Sequence, residues 1–220
     1  MTRRTAGVIC MLLGGALLLG AAGLMSLNRR EESRAGRESA QVMMRLRQEM
    51  EQATLPEETL PEATLPEETR MEPAAEETPL PSQAGREMPT LEIDGQTYIG
   101  YLELPTLGLS LPVMSKWSYP KLRVAPCRYW GSAYDDSLVI LAHNYGRHFG
   151  RLQELTSGDP VQFIDADGVI YRYTVEKQEI LERPDVEAMV DSGYDLTLFT
   201  CTYGGRHRVT VRLRRAQTLV

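Results

Sequence analysis

Proline recurs at every fifth position over residues 54–69, which read Thr-Leu-Pro-Glu-Glu, Thr-Leu-Pro-Glu-Ala, Thr-Leu-Pro-Glu-Glu and a final Thr. This spacing blocks both helix and sheet, because proline lacks a backbone N–H and fixes φ. Residues 31–90 also hold fourteen Glu against six Arg, a net charge of −8, and too little apolar surface to offset the entropy of ordering. We therefore predict an acidic stalk over residues 31–90, partly helical over 33–53 and then disordered, which holds a folded domain away from a membrane.

An apolar run without a charge covers residues 7–27, on the N-terminal side of the stalk. Its length is about the ~20 residues that cross a bilayer as a helix. Arginines flank it on both sides, so the positive-inside rule specifies its orientation only weakly. We predict a membrane anchor over residues 1–30; the alternative is a cleaved signal peptide, for which the apolar run is long.

The folded domain is predicted over residues 91–220, which hold every His and every Phe, Trp and Tyr. Strand-like runs cover residues 98–104, 109–114, 138–142, 161–164, 169–181, 196–201 and 209–213. Turn signals separate these runs, among them an Asp-Gly pair at 167–168 that is typical of a hairpin. Short helices are predicted at 119–124 and 149–155. So many short strands in about 130 residues favour an all-β barrel or sandwich.

Charge and cysteine content argue against a nucleic-acid-binding protein and against a fold that depends on a disulfide. The net charge of −6 argues against binding nucleic acid. Cys10 lies in the apolar run, and a single disulfide between Cys127 and Cys201 is not needed for a core of this size. Asp165 and Asp167 lie in a turn and are expected to shape a hairpin, so we predict no metal site.

Cys201 ends an apolar, β-branched strand and is followed by a two-glycine turn and a second apolar strand. This order places a thiol at a strand tip with an arginine close by. A nearby cation favours the thiolate, the nucleophilic form of cysteine. Cys201 is therefore a candidate nucleophile; the alternative is a buried core thiol.

His143 is the candidate proton-transfer partner. It ends the run at 138–142 and enters a loop, so two strand ends on one rim of a barrel could bring it to Cys201. The alternative is a hydrogen-bonded loop histidine. His148 lies five residues further into the loop and is expected to be solvated. His207 should point away from its two neighbouring arginines by strand alternation.

Arginines follow the cysteine at even spacing, at Arg206, Arg208, Arg212 and Arg214. Even spacing puts them on one face of a strand, which is most often a solvated face. Only Arg206 and Arg208 are close enough to the turn to reach the thiol. A guanidinium there could bind a substrate carbonyl or stabilise an oxyanion.

The combined pattern resembles the sortase family, the membrane-anchored cysteine transpeptidases of Gram-positive bacteria. Their Thr-Leu-x-Thr-Cys signature corresponds to Thr-Leu-Phe-Thr-Cys at 197–201. His143–Asn144 lies upstream, with 57 residues between His143 and Cys201, and Arg208 opens a Val-Thr-Val strand. The resemblance covers residues 100–213.

The resemblance implies an eight-stranded β-barrel with short connecting helices and a His-Cys-Arg site. Cys201 would be the nucleophile, His143 the general acid and Arg208 the arginine for substrate and oxyanion, with Arg206 as the fallback. The groove would include Thr200, Asn144 and residues 182–195.

The implied reaction cleaves a Leu-Pro-x-Thr-Gly-like sorting signal after Thr, through a thioester that an amine resolves. The implied partners are surface proteins with such signals, an amine on a peptidoglycan precursor or pilin, and the membrane, with an extracellular catalytic domain. No cofactor is implied.

Subclass features are mixed. Phe-Gly-Arg-Leu at 149–152 looks like class B, but the connection at 182–195 is short for that class. An Asp-Pro-aromatic lid, as in the pilin-building class C enzymes, is not found upstream of the core. The subclass therefore stays open.

Other interpretations remain at this point. The chain could be another exported cysteine peptidase, an L,D-transpeptidase or a non-catalytic extracellular β-barrel binding module. An L,D-transpeptidase would favour a Ser-His-Gly-Cys motif, which is not what precedes Cys201. The Leu-Pro-Glu-Glu-Thr repeats could occupy the enzyme's own groove as a pseudo-substrate or form a simple spacer. Their Thr stands one position late for a sorting signal, and no Gly follows it.

Overall fold

The structure, a computed structural model, describes residues 3–54, 86–182, 186–202 and 204–216. Three α-helices in these residues are α1 (Arg3–Thr54), α2 (Tyr119–Leu122) and α3 (Val186–Val190), with 3-10 turns at Pro105–Leu107 and Leu152–Glu154. The strands are β1 (Leu91–Ile93), β2 (Gln96–Leu104), β3 (Leu109–Met114), β4 (Cys127–Trp130), β5 (Leu138–Leu141), β6 (Pro160–Asp165), β7 (Ile170–Glu182), β8 (Leu196–Cys201) and β9 (His207–Arg215). The repeats at 55–69 and the expected disorder around them lie outside the described residues.

The nine strands form one sheet in the order β1-β2-β3-β4-β5-β8-β9-β7-β6, and β6 also pairs with β2. This last pairing closes the eight strands β2 to β9 into a barrel, with β1 as an extra hairpin strand on β2. The predicted eight-stranded β-barrel with short connecting helices is therefore confirmed. Closure leaves no free sheet edge in the ring, which removes a site of edge-to-edge aggregation.

Two parallel pairs interrupt an otherwise antiparallel barrel. β3 pairs with β4 through Met114 and Cys127, and β5 pairs with β8 along its whole length. The residues of β5 are all buried, as are the first five of β8. Parallel strands covered on both faces are typically continuous apolar runs, and these two runs are Leu-Val-Ile-Leu and Leu-Thr-Leu-Phe-Thr.

Strands β1 and β4 were not predicted from the sequence. β4 reads Cys-Arg-Tyr-Trp, has no apolar alternation, and carries a bulge between Arg128 and Trp130 where it pairs with β5. Its strand conformation depends on its neighbours rather than on its own pattern. The Asp-Gly hairpin between β6 and β7 formed as expected, and the Asp165 carboxylate accepts from the backbone N–H groups of Asp167 and Val169.

Helix α1 is continuous over 52 residues and has two different halves. Apolar side chains from Met11 to Leu27 are exposed, and this helix is long and apolar enough to cross a membrane. Further along, one face is buried against the barrel at Ala35, Ser39, Met43, Leu46 and Met50. Their spacing of three and four residues forms one helical stripe. Residues 35–50 therefore lie on the barrel, chiefly at β1 and β3, instead of projecting from it as the sequence suggested.

Candidate active site

Cys201 is the last residue of β8 and is half-buried. Its antiparallel partner on β9 is Arg208. Gly204 and Gly205 adopt φ of 90° and 70° in the turn that joins the two strands, a conformation that favours glycine. Side chains directly opposite each other in an antiparallel pair have Cβ atoms about 5 Å apart. The two-glycine turn thus places Arg208 directly across the strand pair from Cys201.

His143 follows β5, the parallel neighbour of β8. The last register pair is Leu141 with Phe199, so His143 and Cys201 each stand two residues beyond it. The Ala142 N–H donates to the Phe199 carbonyl at 3.2 Å, and the Thr200 hydroxyl donates to the Ala142 carbonyl at 2.8 Å. These bonds hold the two strand ends side by side. His143 and Cys201 line the same groove, as the sequence predicted for two strand ends on one rim.

The environment of His143 favours the neutral imidazole. Burial lowers the pKa of His143, the Arg123 guanidinium lowers it further, and the Glu31 carboxylate opposes both. The neutral ring is therefore the dominant form near pH 7. It becomes protonated readily only when a negative charge is beside it, and a thiolate would supply that charge.

Of the four arginines after the cysteine, Arg208 is the one that lines the groove with Cys201 and His143. Its Nη1 donates to the carbonyls of Gly205 and His207 at 3.2 and 3.1 Å. Arg206 is exposed in the turn. The guanidinium of Arg208 is therefore the better placed of the two candidates.

Arg212 was expected on a solvated face, but its side chain is 2% exposed. It donates to the Glu179 carboxylate at 2.7 Å, to the Thr197 hydroxyl at 3.0 Å and to the Ala188 carbonyl of α3. The expectation is wrong for Arg212, because α3 covers this part of the face. The guanidinium thereby fastens the short helix α3 to the barrel wall.

The groove in front of Cys201 has a volume of about 210 Å³ and is mostly apolar. Its wall comprises Trp117, Tyr119, Leu122, Tyr129, Leu141, Ala142, Glu182, Val186, Met189 and Phe199. The rings of Tyr129 and Phe199 meet edge to face at 5.2 Å, and Trp117 lies 5.9 Å from Tyr129. Such a trough suits an extended peptide with apolar side chains. Glu182, Val186 and Met189 supply one wall and belong to the stretch that the resemblance implied.

Thr200 and Asn144 were candidate substrate-binding residues. They line a separate small cavity of about 70 Å³ on another side of Cys201, with Phe149, Gly150 and Thr202 among its neighbours. The side chain of Thr200 is 2% exposed, and its hydroxyl is already used in the bond between strands β8 and β5. Thr200 therefore serves to align the two strand ends.

His148 is fully buried, so the expectation of a solvated side chain is wrong. Its ring lies 5.6 Å from that of Tyr145, and neither ring nitrogen has a hydrogen-bond partner among the residues that the structure describes. Burial, with a smaller effect from His143, lowers the pKa of His148 to about 4. His207 is exposed on β9. Neither of them lines the groove with Cys201.

No cluster of three or more His, Cys, Asp or Glu that could hold a metal ion occurs in the described part of the chain. Asp165, the residue considered above, instead accepts from Tyr134 and Tyr171 as well as from its own hairpin. The site that the structure brings together is therefore one of a thiol, an imidazole and a guanidinium at the end of an apolar groove.

Sequence reasoning missed the aromatic wall made by Trp117, Tyr119 and Tyr129. These residues stand in the β3–β4 connection and on β4, where no strand was predicted. The one available signal was that aromatic residues cluster between 117 and 130 without a helical or strand period. The contact of Glu32 on α1 with Gly146 in the loop after His143 was missed as well, because the two residues lie 114 positions apart.

Comparisons with known proteins agree with this architecture. A family model described as the Sortase domain matches residues 102–216. No curated protein sequence matches the chain at a significant level.

Solved structures of similar fold include sortase C1 from Streptococcus agalactiae, with 27% identity, a TM-score of 0.50, and coverage of 58% of this chain and 72% of that one. Sortase A from Corynebacterium diphtheriae has 22% identity and a TM-score of 0.50, and the match covers 56% of this chain and 62% of that one. A third is Clostridium perfringens sortase C, solved with the C-terminal cell wall sorting motif, at 21% identity, a TM-score of 0.48, and coverage of 55% and 71%.

The family match spans just over half of the chain, from the end of β2 through β9, and includes Cys201, His143 and Arg208. The closed eight-stranded barrel is the fold of the two solved sortases at a TM-score of 0.50. On this combination of matched sequence and matched architecture, the chain belongs to the sortase family.

Proposed function

We propose that this sortase is a membrane-anchored cysteine transpeptidase that cleaves a Leu-Pro-x-Thr-Gly-like sorting signal and transfers the acyl part to an amine. The observation that carries the proposal is the register at the barrel rim. Arg208 is the cross-strand partner of Cys201, and His143 stands at the equivalent position of the neighbouring parallel strand. All three side chains line one apolar groove.

In the first half-reaction, the Cys201 thiolate attacks the carbonyl carbon of the scissile peptide bond. Arg208 donates to the oxyanion that forms, which its fixed fork of N–H groups can do without large reorganisation. The C–N bond breaks, and His143, protonated in the thiolate-containing state, gives its proton to the leaving amine. A thioester on Cys201 and a free amino terminus result.

In the second half-reaction, an acceptor amine attacks the thioester carbon. The neutral His143 takes a proton from that amine, the C–S bond breaks, and the thiolate of Cys201 is restored. The amine would belong to a peptidoglycan precursor or to a pilin. The groove wall of aromatic and aliphatic side chains would hold the Leu-Pro part of the signal by apolar contact.

We place the barrel on the extracellular side of the membrane, with α1 as a single-pass anchor. The apolar stretch ends at Leu27, and α1 continues without a break to Glu32, beside the loop after His143. Five residues of helix rise by about 8 Å. The rim with Cys201 would therefore operate close to the bilayer surface, where a membrane-tethered surface protein would present its signal.

The test is to trap the acyl-enzyme. The full chain in detergent is mixed with a Leu-Pro-x-Thr-Gly peptide, and intact and peptide mass spectrometry locate the adduct, with and without an amine acceptor. We expect a thioester on Cys201 that the amine removes as a ligated product, and none with Cys201→Ala. A product formed equally by Cys201→Ala would overturn the nucleophile assignment. A chain that neither acylates nor cleaves any peptide of this type would favour the non-catalytic binding module.

A further inference from the structure

Helix α1 makes a direct contact with the loop that carries the proposed catalytic histidine. The Glu32 side chain, half-buried at the helix surface, accepts a hydrogen bond from the Gly146 backbone N–H at 2.6 Å. A carboxylate that accepts from a backbone N–H makes a charge-assisted bond, stronger than a bond between neutral groups. The contact joins residues 114 positions apart in the chain.

Two glycines allow this close approach. Gly36 lies one turn after Glu32 and is buried, and a Cβ there would clash with the Arg147 side chain. A Cβ at Gly146 would lie 2.6 Å from Glu32 Oε1. Glycine within a helix lowers helix stability by about 1 kcal/mol relative to alanine. At Gly36 this cost accompanies the close approach of the Arg147 side chain to the helix backbone. The helix and the loop therefore fit each other at this point.

The loop transmits this contact to His143 because it is tightly closed on itself. The Phe149 N–H donates to the His143 carbonyl at 3.1 Å, and the Gly150 N–H donates to the Tyr145 carbonyl at 2.8 Å. The Tyr145 and His143 rings lie 5.0 Å apart. Holding Gly146 in place therefore restricts Tyr145, and Tyr145 restricts the imidazole.

Glu32 is itself held in place by contacts further along α1. Arg45 pairs with Asp94 at 2.5 Å, and Arg47 donates to Glu103 at 2.8 Å. Exposed ion pairs like these stabilise weakly, but the buried stripe that ends at Met50 adds apolar burial. These contacts fix α1 on the barrel, and with it the position of the Glu32 carboxylate next to Gly146.

We propose that Glu32 is a positioning residue for His143, which makes the anchor helix part of the active-site scaffold. The proposal rests on the proposed function, since it assigns to Glu32 the task of holding the general acid in register with Cys201. Glu32 itself does not line the groove with Cys201. Its effect is on the rate of proton transfer rather than on peptide affinity.

The test compares full-length Glu32→Ala, Glu32→Gln and Glu38→Ala in detergent. Glu38 is the matched control, because it lies on the same helix and pairs only locally with Arg34, at 2.7 Å. For Glu32→Ala we expect kcat to fall about tenfold with KM unchanged, and amide hydrogen exchange of residues 144–150 to become faster. Glu32→Gln keeps an oxygen acceptor and should recover most of kcat. Glu38→Ala should match the wild type in both measurements.

The outcomes separate this proposal from the proposed function. If amide exchange of residues 144–150 in Glu32→Ala is slower than in the wild type or equal to it, the Glu32–Gly146 hydrogen bond does not hold the loop. This conclusion does not depend on whether the chain transfers peptides. Faster exchange with an unchanged kcat would overturn the positioning role. A wild-type chain that transfers no peptide would instead overturn the proposed function, and with it the reason for positioning His143.

Discussion

The barrel interior and the barrel rim each hold one cysteine and one histidine of the described residues near the groove, and the two pairs differ in burial. Cys127 and His148 are fully buried, whereas Cys201 and His143 are half-buried at strand ends on the rim. Burial raises the pKa of Cys127 to about 12 and lowers that of His148 to about 4. In the interior, burial therefore keeps both groups neutral near pH 7.

The rim pair differs because each of its members stands at the end of a strand and lines the groove. Arg208 stands opposite Cys201, and Glu31 lies near enough to oppose the lowering of the His143 pKa. The comparison shows that residue type alone does not identify a nucleophile or an acid. Position relative to the barrel rim separates the two pairs, because the groove through which a peptide could reach a side chain lies at the rim.

Alkylation rates test the difference between the rim cysteine and the interior cysteine most directly, and the expected effect is the largest. We expect iodoacetamide at pH 8 to modify Cys201 at least about 10³-fold faster than Cys127. A thiol with a pKa of about 12 is about 10⁻⁴ thiolate at that pH, and Cys127 is also closed off from solvent. Peptide mass spectrometry of a time course gives both rates. Comparable rates for the two would remove the distinction between rim and interior.

Replacement of each histidine tests the second half of the comparison. His143→Ala should lower kcat/KM about 10³-fold, since general acid–base catalysis contributes 10²–10⁴-fold. His148→Gln keeps hydrogen-bonding capacity in the buried site, and should lower activity less than tenfold. The measurement is the transfer rate of a sorting-signal peptide to an amine. Full activity in His143→Ala would show that His143 is not the acid.

Replacement of Arg208 and of Arg206 tests which of the two arginines acts on the substrate. Arg208→Ala should lower kcat/KM about 10²-fold, as removal of an oxyanion donor does, whereas Arg206→Ala should change it less than threefold because Arg206 is exposed away from the groove. Arg208→Lys should recover only part of the rate, since the planar fork is lost. The reverse ranking of the two alanine variants would transfer the role to Arg206.

The smallest expected effect is a change in the pH dependence of the free energy of unfolding, caused by His148. The unfolded His148 binds a proton near pH 6.5, while the folded one resists protonation until about pH 4. The unfolded state therefore binds more protons in this window, so stability falls as the pH drops from 6.5 to 4. Between pH 7 and 5, His148 should account for about 2 kcal/mol of this loss.

His148→Gln should remove that part of the loss, while contributions from carboxylates cancel in the difference from the wild type. Urea unfolding of both proteins at pH 7 and pH 5 gives the comparison. An identical pH dependence in the two would mean that His148 is protonated freely in the folded protein, contrary to its burial.

Much of the barrel could be predicted because its strands carry local signals. The runs that became β3 and β8 were located to the residue, and the Asp-Gly turn marked the β6–β7 hairpin. β4 could not be predicted, because its Cys-Arg-Tyr-Trp segment becomes a strand only through pairing with β3 and β5. His148 was misjudged because polar neighbours in sequence say little about burial in space.

The order of residues along the chain is enough to identify which side chains are available for chemistry and which apolar run is long enough to cross a membrane. Strand ends, glycine turns and long apolar runs are properties of neighbouring residues, so Cys201 and His143 can be identified without a structure, with Arg206 and Arg208 as the two candidate arginines. How these residues come together in one groove depends on contacts between distant segments. The parallel register of β5 and β8, the aromatic wall of the groove and the contact of Glu32 with Gly146 all join distant segments. Such contacts depend on packing and backbone hydrogen bonds across the whole barrel, which no local pattern encodes.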